Sequence, residues 1–141
     1  MSFWDASALV PLFLRQGSSS AARTFYRKHP DVVVWWGTAV ECESAIARLE
    51  RAGELTPIET ASARARLAEA EAGWTEVEPT EAVRSTARRL LRVHDLRAGD
   101  ALQLAAALVF ADGEPRSLSV VCLDARLSTA ARREGFPIVE P

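Results

Sequence analysis

Short apolar runs alternate along the chain with longer segments of helical periodicity. The apolar runs are rich in β-branched and aromatic residues and predict strands at residues 2–4, 31–36, 74–79, 117–124 and 137–140. The intervening segments predict helices over residues 6–15, 21–29, 38–53, 56–73, 80–94, 96–113 and 125–135. Such alternation predicts an α/β fold, in which helices cover both faces of a central parallel sheet.

Proline and glycine mark the ends of several predicted helices. Pro30 ends the second helix, and Gly53 ends the third. Residues 16–20 predict a turn whose serines cap the second helix, and Pro11 is expected to bend the first. Residues 101–110 are apolar except for Gln103, which predicts a helix buried on all sides.

Composition narrows the class of protein. The 141 residues are 48% hydrophobic and 26% charged, as in an ordinary globular protein, and the formal net charge of −2 gives no overall attraction for nucleic acid. There is no apolar run of about 18 residues and no signal-peptide pattern, so we expect a cytoplasmic protein with no membrane contact. Cys42 and Cys122 lie in apolar segments and predict buried thiols or, at most, one disulfide.

Four acidic residues stand next to the most apolar segments. Asp5 and Asp124 end predicted strands, whereas Glu41 and Asp100 lie at the beginning of predicted helices. The carboxyl ends of parallel strands meet at one edge of a sheet, so these side chains are expected to share one crevice. Several carboxylates at one place suit Mg²⁺ or Mn²⁺.

Helix capping is an alternative explanation for each acid taken singly. Asp5, Asp100 and Asp124 each precede or begin a predicted helix, and aspartate is a favoured N-cap. Thr38 and Glu41 match a capping box, and residues 100–103 match a looser one. Capping does not explain why the acids adjoin the most apolar segments, so both interpretations stay open.

Glu43 competes with Glu41 for a place in the crevice. At about 100° per residue, Glu41 lies beside the edge of the apolar arc of its helix, whereas Glu43 points away from that arc. The sequence therefore favours Glu41.

At these residues the chain resembles the PIN-domain ribonucleases, and within them the VapC-type toxins of toxin–antitoxin pairs. The resemblance covers almost the whole chain and rests on four motifs in order. These are "WDASALV", "TAVECESAIARL", "LRAGDALQLAAAL" and "VVCLDARLSTAARREGF". The fold that the resemblance implies is a single PIN-like domain over residues 1–141.

The resemblance also implies a site and a chemistry. Asp5, Glu41, Asp100 and Asp124 would bind Mg²⁺ or Mn²⁺ and hydrolyse RNA phosphodiester bonds, with Ser7 as a neighbouring hydroxyl. The family commonly has threonine or serine at the position of Cys122, so a hydroxyl contribution there is in doubt. The implied partners are RNA, a cognate antitoxin and a second copy of the chain.

Other polar and aromatic residues have two interpretations. Five arginines precede the third motif and either hold RNA phosphates or form a solvated helix face. They are Arg84, Arg88, Arg89, Arg92 and Arg97. His94 is expected to be a surface or packing residue, and most of the tryptophans are expected to pack rather than stack on bases. The tryptophans are Trp4, Trp35, Trp36 and Trp74.

Two further classes of function compete with a nuclease. Aspartyl-phosphate phosphatases and receiver domains need a second acid close to the first and a lysine late in the chain, whereas Lys28 is the one lysine here. A non-catalytic PIN-fold module that binds RNA or protein is the alternative that stays open.

Overall fold

A computed structural model describes residues 1–14 and 19–141, so the predicted turn over residues 16–20 lies largely outside the described part of the chain. The strands are β1 (Ser2–Trp4), β2 (Val32–Trp35), β3 (Thr75–Val77), β4 (Ser119–Val121) and β5 (Ile138–Val139). The α-helices in the described residues are α1 (Ala6–Leu14), α2 (Ser19–Lys28), α3 (Thr38–Arg51), α4 (Pro57–Glu71), α5 (Glu81–Val93), α6 (Ala98–Ala111) and α7 (Ala125–Arg133).

The strands form one parallel sheet in the order β3-β2-β1-β4-β5. β1 is central, with Phe3 opposite Val33 of β2 and Trp4 opposite Val121 of β4. Parallel neighbours require crossovers, which the helices provide. The chain therefore returns repeatedly to the same edge of the sheet, where the strands end.

Successive side chains of each strand enter two different cores. Phe3 and Val33 pack in a core with residues of α5, α6 and α7, whereas Trp4 and Val34 pack in a core with residues of α1 to α4. This alternation is the two-residue period of a strand buried on both faces. The predicted α/β fold with helices on both faces of a parallel sheet is confirmed.

Helix α4 begins as its sequence indicates. Thr56 is the N-cap: its hydroxyl accepts the Glu59 N–H at 3.1 Å, and Glu59 Oε1 accepts the Thr56 N–H at 3.0 Å. Pro57 occupies the first helical position, where its missing N–H costs nothing.

The capping box predicted at Thr38 and Glu41 is wrong. Helix α3 has Gly37 as its N-cap, without a side-chain hydrogen bond, and Thr38 is already its first residue. A Cβ atom on Gly37 would lie 2.5 Å from Nε1 of Trp35, so only glycine fits this turn without a shift of the indole. The close approach at Gly37 sets the beginning of α3 one residue earlier than predicted.

Capping explains two of the four acids. Asp5 accepts the Ser7 N–H at 3.0 Å, and Asp124 accepts the Leu127 N–H at 2.9 Å, at the beginning of α1 and α7. The prediction is wrong for Asp100, which lies inside the first turn of α6 after its N-cap, Arg97. The looser box over residues 100–103 is wrong as well.

Two smaller predictions also have clear outcomes. Helix α1 contains Pro11 and continues past it to Leu14. The strand predicted to begin at residue 117 begins at Ser119, because Pro115–Ser117 forms a 3₁₀ turn. Cys42 and Cys122 are both buried and free, which confirms the buried thiols and excludes a disulfide between them.

Candidate acidic active site

Two of the four acids lie at the ends of adjacent central strands. Asp5 directly follows β1, and its N–H donates to the Val121 carbonyl at the end of β4, at 3.0 Å. Asp124 lies three residues beyond Val121, at the beginning of α7. The register of β1 and β4 therefore brings both carboxylates to one edge of the sheet.

Helices α3 and α6 bring the other two acids to that edge. Glu41 and Asp100 each lie in the first turn of their helix. A Cβ atom on Gly99 would lie 3.9 Å from Glu41 Oε1, so the Glu41 carboxylate lies against the beginning of α6. Asp5 repels both Glu41 and Asp100, and Asp100 repels Asp124, so all four form one electrostatic cluster, the acidic cluster.

Asp5 is the most deeply buried member of the acidic cluster, with 4% of the residue exposed. Burial raises its pKa above the ordinary range, and repulsion by Asp100 raises it further. Hydrogen bonds from Ser7 oppose this rise because they stabilise the ionised form. Ser7 is also tied to the chain after β4, since its hydroxyl accepts the Leu123 N–H at 3.0 Å.

Glu41 has its pKa raised to about 7. Burial is the main cause, and repulsion by Asp5 and Asp100 adds to it, whereas a hydrogen bond from Gln103 acts in the opposite direction. A cleft of about 330 Å³ opens beside Glu41 and Ser7 and connects this part of the cluster with solvent. Glu43, by contrast, lies 2.8 Å from the Arg64 guanidinium on the neighbouring helix.

Asp100 also has a raised pKa, caused first by burial and then by repulsion from Asp124. Hydrogen bonding from the Arg97 backbone and the charges of Arg97 and Arg126 lower it in part. Three of the four carboxylates therefore resist ionisation, because they are removed from water and face one another.

Comparison with known proteins was made on the whole chain. A sequence model of the PIN domain matches residues 3–133. The chain belongs to the PIN-domain family. Ribonuclease VapC45 and Ribonuclease VapC49 of Mycobacterium tuberculosis are each 35% identical to it over 133 residues, which cover 94% of this chain and 90% of each relative.

Solved structures share the same fold at lower identity. FitAcB from Neisseria gonorrhoeae superposes with a TM-score of 0.69 at 16% identity, over 100% of this chain and 98% of that one. A toxin–antitoxin complex from Klebsiella pneumoniae gives a TM-score of 0.66 at 16% identity, with the same coverage. The resemblance to the PIN-domain family is thus confirmed.

The acidic cluster of this PIN domain fits a divalent cation in the kind and charge of its donors. Carboxylate oxygens are the ligands that Mg²⁺ and Mn²⁺ prefer, and the mutual repulsion of the acids is what a cation relieves. In residues 1–14 and 19–141, no three His, Cys, Asp or Glu side chains already surround one point as metal ligands do. The donors are gathered without a closed coordination sphere.

Cys122 lies inside the acidic cluster, where the family commonly has a hydroxyl. Its Sγ atom is 3.8 Å from Asp5 Oδ2 and accepts the Asp124 N–H at 3.3 Å. Burial raises its pKa to about 11, and the charge of Asp5 adds to this, so the thiol stays protonated and neutral near pH 7. The thiol keeps the bridging position but makes longer and weaker hydrogen bonds than a hydroxyl does.

Sequence reasoning did not assign Gln103 to this site. Its amide nitrogen donates to the Thr38 hydroxyl at 3.0 Å and also hydrogen-bonds the Glu41 carboxylate. The available signal was its position as the one polar residue in the apolar run 101–110.

The remaining polar candidates have structural partners. Arg84 pairs with Glu81 at 2.6 Å, and Arg89 pairs with Glu134 at 2.8 Å. His94 has 4% of its side chain exposed and lies 2.7 Å from Glu134, which confirms a packing role. Three tryptophans are buried, as expected for most of them, and one is 51% exposed. The buried ones are Trp4, Trp35 and Trp74, and the exposed one is Trp36.

Proposed function

We propose that this PIN domain is a divalent-metal-dependent endoribonuclease that acts as the toxin of a toxin–antitoxin pair. The observation that carries the proposal is the acidic cluster, in which four carboxylates from β1, α3, α6 and α7 face one another at the carboxyl edge of the sheet. Relatives at 35% identity carry the name Ribonuclease VapC, which supports RNA as the substrate.

The roles of the residues follow from their positions. Asp5, Glu41, Asp100 and Asp124 would hold Mg²⁺ or Mn²⁺, and their ionised oxygens would serve as ligands. When bound, such a cation supplies Lewis-acid activation of water and of the phosphodiester near neutral pH. Arg97 and Arg126 lie beside Asp100, where they lower its pKa and are placed to attract RNA phosphates.

The burial of Asp5 and Glu41 also has a chemical consequence. Water is excluded from one side of the acidic cluster, so charge interactions there are stronger than at an open surface. Ser7 and Asp5 are joined to the segment after β4 by backbone hydrogen bonds, which keeps Asp5 and Asp124 in fixed relative positions. The chain thus supplies a rigid, negatively charged receptor on one edge of its sheet.

The proposal extends to the partners of the chain. One structural neighbour is a toxin–antitoxin complex, which supports a cognate antitoxin as a partner, and the VapC-type resemblance supports a homodimer in the cytoplasm. In the described residues, no helix is long and apolar enough to cross a membrane. Light scattering on the purified protein measures the oligomeric state, and co-expression with the product of an adjacent small reading frame tests for an antitoxin.

The test of the nuclease compares aspartates that cap helices with their asparagine variants. Purified protein is expected to cut RNA in Mg²⁺ or Mn²⁺ and to stop in chelator. Asp5→Asn and Asp124→Asn keep the capping acceptors but lose the ligand charge, so cleavage should be lost while stability changes little.

Asp112→Asn is the matched control. Asp112 is the C-cap of α6, at the end of that helix opposite to Asp100, and its left-handed φ of 48° suits asparagine equally well. This variant should cut RNA like the parent. If the parent protein binds RNA of several classes and leaves it intact in both metals, the non-catalytic binding module becomes the better assignment.

A further inference from the structure

Gln103 is a polar side chain at the centre of a buried apolar helix. It is 0% exposed, and its neighbours from Ala101 to Ala107 are almost all buried and apolar. A buried amide costs stability unless its hydrogen bonds are made, so an apolar residue of the same size would be expected here on packing grounds alone.

The amide directs its hydrogen bonds to the first turn of α3. Its Nε2 atom donates to the Thr38 hydroxyl at 3.0 Å and also hydrogen-bonds the Glu41 carboxylate, which only an N–H donor can do. Its Oε1 atom is buried and has no hydrogen-bond partner among the described residues. The donor side of Gln103 is therefore in use, while the acceptor side stays unsatisfied, which a residue kept for core stability would not show.

Gln103 also lies on the same face of α6 as Asp100, one helical turn further on. Glu41 lies against Gly99, in the first turn of α6. The Glu41 carboxylate is thus held along α6, between the glycine at its beginning and the Gln103 amide. This placement is the one that brings Glu41 to Asp5 and Asp100.

We propose that Gln103 is a positioning residue whose amide N–H holds the Glu41 carboxylate against α6, so that Glu41 faces Asp5 and Asp100. The inference rests on the proposed metal-dependent nuclease. Partners that hydrogen-bond a ligating group fix its orientation, and their loss typically weakens metal affinity or activity. Gln103 itself does not touch the reacting atoms in this scheme.

A purely structural role makes a different prediction. Gln103 also joins α6 to α3 through Thr38, and a simple link between two helices would affect stability and leave metal binding alone. Thr38→Val removes the hydroxyl of this link and keeps the Gln103 amide next to Glu41. Gln103→Met removes both hydrogen bonds and fills the same apolar surroundings, so the two variants separate the roles.

The experiment measures Mn²⁺ affinity by calorimetry and RNA cleavage by steady-state kinetics. Gln103→Met is expected to weaken Mn²⁺ binding about 10-fold to 100-fold. At limiting Mn²⁺ its kcat should fall with little change in KM for RNA, and added Mn²⁺ should restore part of the rate. Thr38→Val should change the Mn²⁺ affinity much less than Gln103→Met does.

Gln103→Leu is the second variant, in case methionine disturbs folding, and far-ultraviolet circular dichroism checks both. A folded variant at position 103 with the parent's Mn²⁺ affinity and kcat overturns the inference and leaves the nuclease assignment standing. Equal weakening by Thr38→Val and Gln103→Met also overturns it. A parent protein that neither binds Mn²⁺ nor cuts RNA overturns the proposed function, and the positioning role is rejected with it.

Discussion

Two half-buried glutamates, Glu41 and Glu134, have pKa values shifted in opposite directions. Glu134 lies between Arg89 and His94, at 2.8 and 2.7 Å, and these hydrogen bonds lower its pKa. Glu41 faces Asp5 and Asp100, and its pKa rises to about 7, mainly through burial. Residue type is the same at both places, so the difference comes from the neighbours.

The comparison separates a structural carboxylate from a functional one. Around Glu134, the chain supplies the compensating charges itself, so the ion cluster joins α5 to the end of α7 and needs no further ligand. Around Glu41, the chain gathers more negative charge and compensates little of it, which lowers stability in the absence of a cation. Such uncompensated burial is typical of functional sites.

The largest expected difference between the two glutamates is in activity. Glu41→Gln should lower RNA cleavage by more than about 100-fold, because a ligating group contributes more than the partners that orient it. Glu134→Gln should cut RNA at nearly the parent's rate. Both are measured as kcat/KM on one RNA substrate in saturating Mg²⁺, and equal rates for Glu41→Gln and the parent would contradict the comparison.

The second expected effect is the response of stability to metal. Mn²⁺ at a hundredfold over its dissociation constant should raise the free energy of unfolding of the parent by about 2.7 kcal/mol. Asp100→Asn should be more stable than the parent in chelator, because it removes repulsion with Asp124 and Asp5, and should respond less to Mn²⁺. Urea unfolding with chelator and with Mn²⁺ measures both, with Asp112→Asn as the control.

Stability should respond in the opposite sense at Glu134. Glu134→Ala leaves the buried His94 ring without its partner, and an unsatisfied buried polar group costs about 1–3 kcal/mol. Urea unfolding in chelator should therefore place this variant below the parent, whereas Asp100→Asn lies above it. A Glu134→Ala variant as stable as the parent would show that the ion cluster does not support the fold.

The smallest expected effect is on pH dependence. The native pKa of Glu41, about 7, lies above its ordinary value of 4.5, so the native metal-free protein binds more protons than the unfolded chain between these pH values. Its free energy of unfolding should then decrease as pH rises through this window, an effect that is absent below pH 4.5 and complete above about 7. Thermal melts in chelator measure it.

Glu41→Gln should flatten this pH dependence, since glutamine does not titrate. Glu43→Gln is the matched control, because it removes a carboxylate of the same helix that pairs with Arg64 at the surface. If the parent and Glu41→Gln lose stability in parallel between pH 4.5 and 7, Glu41 is not the group responsible.

The sequence by itself determined the order and type of the helices and strands. Strand residues such as Val32 to Trp35 form a continuous apolar run, and the Thr56 capping box with Pro57 marks the beginning of α4. These signals are local, since they depend on side-chain periodicity and on hydrogen bonds within one turn. For the same reason the parallel α/β fold followed from the pattern of the chain.

Only the tertiary structure decided how the acids differ and what surrounds them. Gly37 replaced Thr38 as a helix N-cap because the Trp35 ring lies against the turn, and Gln103 reached Glu41 from another helix. Glu134 found its partners at residues 89 and 94, far away in sequence. Burial and charge compensation depend on contacts between distant segments, and these contacts set the pKa of each carboxylate.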